Sequence, residues 1–83
     1  MKTTEYFDQK LVERPEVQRE WCERVIKNTI KEEVQPDGLR FWGIISECSN
    51  KALRVVTLED RETMHNAFFD CNFLKKYQKE QDL

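Results

Sequence analysis

Histidine occurs once in this 83-residue chain, glycine twice and proline twice, and no apolar run approaches the length of a membrane span. The scarcity of histidine matters first. His65 is alone, and Cys22, Cys48 and Cys71 lie far apart with no CxxC pair, so a zinc site has no ligand set. No metal and no cofactor is expected. Gly38 and Gly43 stand singly, so no glycine-rich loop exists to cradle phosphates. No serine or cysteine adjoins the histidine in a nucleophile arrangement, which removes support for hydrolase, kinase and nucleotide-binding chemistry. An excess of basic charge is missing too. Fourteen Lys and Arg face sixteen Asp and Glu, a net charge of −2, which argues against a protein held mainly by nucleic-acid phosphates. A local basic patch is still compatible with that balance. The odd cysteine count and the absence of a signal-peptide-like run fit reduced thiols in a cytoplasmic protein with no membrane partner.

What is present is a single domain over 1–83, with a core expected from about 12 to 75 and a flexible polar C-terminal tail. Charged residues make up 36% of the chain and hydrophobic ones 39%, so a compact core must sit under a densely ionic surface. Residues 1–14 are weakly patterned and read as a short helix or irregular arm. Pro15 is expected to open the main helix, since proline suits a first helical position, and Val17, Trp21, Cys22, Val25 and Ile26 form its apolar stripe. Asn28 and Thr29 end it. Ile30–Val34 reads as an edge strand because of its charges. Gln35-Pro36-Asp37-Gly38 is a specific turn signal, with proline presetting the second position and glycine supplying a positive φ. Strands follow at 39–47, 52–58 and 63–69. Asp70 onward adds a docked turn, and KKYQKEQDL frays. The fold expected is α+β: one amphipathic helix on a four-stranded antiparallel β-meander.

Alternation assigns faces to this meander. Pairing Glu47 with Ala52 and Glu59 with Glu62 puts Phe41, Gly43, Ile45, Arg54, Val56, Leu58, His65, Ala67 and Phe69 on one face. Arg40, Trp42, Ile44, Leu53, Val55, Met64, Asn66 and Phe68 take the other. A slip of one residue at either loop reshuffles the sets. Both faces are apolar in their middle, and one helix covers only one of them. The N-terminal arm, the C-terminal turn or another protein must cover the second, which points to a homodimer or a dedicated partner.

The candidate chemistry lies in the same stretch. His65 is the only side chain that titrates near neutrality, and on this register it neighbours Arg54. Such a pair suits phosphodiester cleavage, the imidazole moving a proton and the guanidinium stabilising phosphate charge. The plainer reading makes His65 a half-buried, hydrogen-bonded strand residue. Arg40 and Arg54 recur in the phrases LRFW and LRVV and suit phosphate or carboxylate, or else cross-sheet pairing with Glu32, Glu47 or Glu62. Trp42 suits base stacking, or a core contact with Trp21, which weighs more. Asn66 is expected to satisfy backbone groups.

The phrases RPEVQREWCERVI, QPDGLRFWGIISE and KALRVVTLEDRETMHNAFFD resemble a family of small bacterial proteins, frequent in cyanobacteria, over about residues 12–75. That resemblance implies no particular activity. More loosely, a helix followed by an antiparallel meander is similar to the RelE/BrnT-like superfamily of small toxins. This second resemblance implies RNA cleavage by Arg40, Arg54 and His65, and neutralisation by a small antitoxin. Two functions are therefore expected: an interaction module that dimerises or binds a protein partner through its sheet, and a toxin-like ribonuclease.

Overall fold

Three helices and five strands follow one another in a computed structural model that describes the backbone of residues 2–81 and the side chains of residues 2–77. In chain order they are β1 (Lys2–Thr3), α1 (Glu5–Glu13), α2 (Arg19–Lys27), β2 (Lys31–Gln35), β3 (Gly38–Ile45), β4 (Lys51–Thr57), β5 (Thr63–Phe69) and α3 (Phe73–Gln81). The sheet order is β1-β5-β4-β3-β2. Strands β2 to β5 form the expected antiparallel meander, and β1 adds parallel to β5, so the α+β fold has a mixed sheet and three helices.

The N-terminal segment is a capped helix and part of the core. Thr4 accepts the Phe7 N–H at 3.1 Å, and Glu5 and Asp8 complement the positive end of the first turn. Only Phe7 and Leu11, four apart, face inward. Tyr6 and Val12 are exposed, which is why the pattern looked weak. The core therefore begins before residue 12, because Phe7 is fully buried in it.

Helix α2 begins at Arg19, not at Pro15. Pro15 occupies the second position of a turn closed by the Val17 N–H donating to the Arg14 carbonyl at 3.0 Å. The φ that proline fixes serves that turn as well as a first helical position. Trp21, Cys22 and Val25 are buried as expected, and the helix stops at Lys27 with Asn28 as cap. Burial pushes the Cys22 thiol up to about 12, so it is an inert core residue. The helix lies close over β3, since a Cβ at Gly43 would stand 3.0 Å from Val25 Cγ2. At the β2–β3 hairpin, Gly38 has φ 159°. The expected positive φ is therefore present, and space is a second requirement, because a Cβ there would collide with the Thr57 carbonyl oxygen.

The β3–β4 register differs from expectation by three residues, and the β4–β5 register, as expected at the loop itself, is shifted by one beyond it. Between β3 and β4, a 3₁₀ turn at Ser46–Cys48 is followed by Ser49 and Asn50 in the left-handed region, at φ 57° and 56°. The strand ends early and Ile45 pairs with Lys51. Between β4 and β5, Thr57 pairs with Met64 as the tight turn requires, but a β-bulge then inserts His65, so Val56 meets Asn66. As a result β4 is turned over. Leu53 and Val55 join Phe41, Ile45 and Ala67 under α1 and α2, while Arg54 joins Arg40 and Trp42 on the opposite face.

That opposite face is covered by α3. Trp42 and Ala52 are buried against Phe73, with Leu74 and Tyr77 packed alongside. Trp42 stacks on Phe73 with centroids 5.1 Å apart, and Phe73 on Tyr77 at 5.5 Å. Trp42 therefore points away from Trp21, which meets Phe69 edge-on instead. The segment expected to fray is helical through Gln81, and Asp82 and Leu83 lie outside the described residues. Truncating Phe73 to alanine should lower stability by about 3 kcal/mol and red-shift Trp42 emission, measured by denaturant unfolding followed by fluorescence.

Asp60 organises the β4–β5 loop. Its Oδ1 accepts the backbone N–H groups of Glu62 and Thr63 at 2.9 Å each, and Thr63 Oγ1 donates to Oδ2. The Thr63 hydroxyl first, then these amides, hold the carboxyl down to about 2. An aspartate with a depressed native pKa contributes stability above its unfolded value of about 3.9, and that stability is lost as pH falls. The Asp60 contribution should fade between about pH 3.9 and pH 2, and Asp60→Asn should flatten that part of the thermal-stability profile.

Candidate functional site: an arginine pocket beneath the third helix

The register that turns β4 over also brings Arg40 and Arg54 together. Trp42 pairs with Arg54 across β3 and β4, and Arg40 with Val56, so the arginines are diagonal neighbours on the α3 face. With Lys31 and Glu33 of β2, Trp42, Asp70, Asn72, and Phe73, Lys76 and Tyr77 of α3, they line a pocket of about 240 Å³. Helix α3 forms one wall, and the sheet forms the floor.

Arg54 is held by its surroundings. Its side chain is 23% exposed, its guanidinium lies 4.2 Å from the Phe68 ring centroid, and NH1 is 3.9 Å from Asp70 Oδ2. The Nε is buried with no hydrogen-bond acceptor among the described residues. Burial, and then the neighbouring Arg40 charge, lower its pKa, although a guanidinium stays protonated at any ordinary pH. Arg40 is half-buried and makes no hydrogen bond or ion pair with any described residue.

The pocket carboxylates are largely committed elsewhere. Asp70 Oδ1 accepts the backbone N–H groups of Asn72 (3.2 Å) and Phe73 (3.1 Å), capping the first turn of α3. Its Oδ2 accepts the Trp42 indole N–H at 3.3 Å. Glu33 is 3.9 Å from Lys31 and accepts the Gln35 amide at 3.3 Å. Two of the acids expected to neutralise the arginines have other partners: Glu32 pairs with Arg61 at 2.6 Å and Glu47 with Arg24 at 2.9 Å.

His65 stands elsewhere. As the bulge residue it leaves the core to Met64 and Ala67, stacks on Tyr6 with centroids 4.9 Å apart, and has Nδ1 3.0 Å from Thr4 Oγ1. That hydroxyl already accepts the Phe7 N–H, which leaves its own proton to point at Nδ1. No hydrogen bond, ion pair or ring contact joins His65 to Arg40 or Arg54 among the described residues. The two arginines line one pocket, and the histidine pins α1 to β5. Asn66 does satisfy backbone: its Oδ1 accepts the Ala67 N–H and also Arg14, whose guanidinium donates to the Ala67 carbonyl.

The docked turn expected from Asp70 is the start of a helix, and the places of Asp70, Lys76 and Tyr77 in the pocket were missed because KKYQKEQDL reads as a polar tail. A signal was present: an aspartate three residues before Phe73, with Leu74 and Tyr77 continuing at helical spacing, marks a capped helix start. Neither a protein-family model, a curated protein nor a solved structure gives a significant match to the chain. Among the described residues, no helix is long and apolar enough to cross a membrane, and no group of histidine, cysteine and acidic side chains is placed to hold a metal.

Replacing Asp70 by alanine should cost about 1 kcal/mol through the lost cap. Asp70→Asn keeps an acceptor oxygen and should retain most of that stability. Amide exchange across α3 in the two variants measures the difference.

Proposed function

We propose that the protein is a non-enzymatic interaction module that accepts a strand of a partner polypeptide along β2. The observation that carries this reading is the unequal treatment of the two sheet edges. At one edge, β1 pairs with Thr63 and Met64, and Arg14 donates to the Ala67 carbonyl farther along β5. At the other, five-residue β2 has β3 on one side and no described strand on the other. Val34 is 75% exposed there and Ile30 38%. An open edge offers unpaired backbone groups for strand addition, with alternate side chains supplying selectivity.

The sequence of β2 constrains its partner. Antiparallel pairing with a second copy about the strand centre would oppose Glu33 to Glu33, or Glu32 to Glu33, and like charges opposite one another destabilise a ladder. A foreign strand with apolar residues on the Val34 side and Lys or Arg on the Glu33 side meets no such repulsion. Both faces are covered by helices of this chain, so the edge is the surface that favours a strand as occupant.

Selection from a displayed library of nine-residue peptides should enrich alternating apolar and basic sequences. Adding the tightest one should perturb the β2 amide resonances, and Val34→Lys should weaken it several-fold. No enrichment, or binding mapped away from β2, would overturn the reading. Incubation of RNA with the wild type and with His65→Ala should leave it intact in both cases. Cleavage by the wild type that is lost in His65→Ala would replace the module with the toxin-like ribonuclease.

A further inference from the structure

We infer that the pocket between α3 and the sheet is a binding site for a phosphate monoester, with Arg40 and Arg54 as its principal donors. Four cationic side chains, Lys31, Arg40, Arg54 and Lys76, line it against two carboxylates, Glu33 and Asp70. Lys31 has partners of its own, Glu33 among them, so the two arginines are the charges the pocket presents to a ligand. A phosphate monoester near neutral pH carries close to two negative charges and balances them, whereas a carboxylate leaves one unmatched.

The donors are there to be used. Arg54 Nε is buried with no acceptor among the described residues, an uncommon state for a buried polar group. Its nearest carboxylate, at 3.9 Å, is at the limit of ion pairing and is already engaged by the Trp42 indole and by the first amides of α3. Arg40 has no acceptor among the described residues. Two adjacent guanidiniums, repelling one another in a half-buried setting, gain from an oxyanion that both can fork.

Size and shape narrow the ligand. About 240 Å³ is below the usual range for a drug-sized or nucleotide ligand, and suits a phosphate group with a short aliphatic attachment. The rings of Trp42, Phe73 and Tyr77 stack on one another, which leaves little ring face for a nucleobase. The Tyr77 side chain also lines the pocket and has a hydroxyl to offer a phosphate oxygen. The site is built by this chain alone, so the inference stands or falls separately from strand addition at β2.

The test follows the arginine Nε–H resonances and the melting temperature of the intact protein during titration with inorganic phosphate, O-phosphoserine and acetate. Phosphate and O-phosphoserine should shift the Arg54 and Arg40 signals with saturation, raise the melting temperature, and bind at least tenfold more tightly than acetate. Arg40→Gln should weaken phosphate at least tenfold, and Arg40→Lys should restore part of the loss. Should Arg54→Gln fail to fold, Lys76→Gln provides a second variant on a solvent-exposed residue, expected to weaken binding by a smaller factor. Tighter binding of O-phosphoserine than of phosphate would indicate an esterified ligand, and equal binding the free anion. No saturation up to tens of millimolar, equal affinity for acetate, or binding unaffected by Arg40→Gln would each overturn the inference.

Discussion

A sheet that is apolar on both faces has to be covered twice, and this requirement shapes the molecule. The first cover is made early in the chain, where α1 contributes Phe7 and α2 contributes Trp21, Cys22 and Val25. The second is a single helix, and its apolar contribution reduces to Phe73, Leu74 and Tyr77 over Trp42 and Ala52. Each buried aromatic ring there is worth about 1.5–3 kcal/mol of transfer free energy. That is a large part of the 5–15 kcal/mol margin typical of small domains. The covers also differ in what they leave behind. The first buries one polar side chain, Thr57, among apolar ones, whereas the second traps two arginines at its border.

Much of the fold was legible because strand periodicity and turn chemistry are local. The Gln35–Gly38 turn, the β2 edge and the stripe of α2 follow from residues within a few positions of one another. Register was not legible, since it depends on loop conformations that composition leaves open. Ser49 and Asn50 in left-handed conformation, and one bulge at His65, each shift a pairing by an odd number. The two shifts cancel between β3 and β5, so Phe41, Ile45, Ala67 and Phe69 share a face as alternation suggests. They do not cancel for β4, which lies between them. Leu53 and Arg54 exchange sides there, and the site changes with them.

Arg40 and Arg54 stood out in the sequence as two arginines in similar phrases, and the flipped strand makes them neighbours. His65 stood out as a lone histidine, and the bulge that carries it takes it to Tyr6 and Thr4. Chemical type identified the arginines, while geometry decided their company. The acidic contribution of Asp70 was hidden because its role comes from starting a helix where the residues suggest only a docked turn.

Helix α3 follows every strand in chain order, and this has a consequence for the protein as it is made. On a ribosome the sheet and its first cover can assemble while the residues that shield Trp42 are still unsynthesised or in the exit tunnel. During that interval Trp42, Ala52 and Ile44 form an apolar surface beside two unneutralised guanidiniums, the kind of surface by which nascent chains associate or are captured by chaperones. Termination before Phe73 would leave that intermediate as the final product.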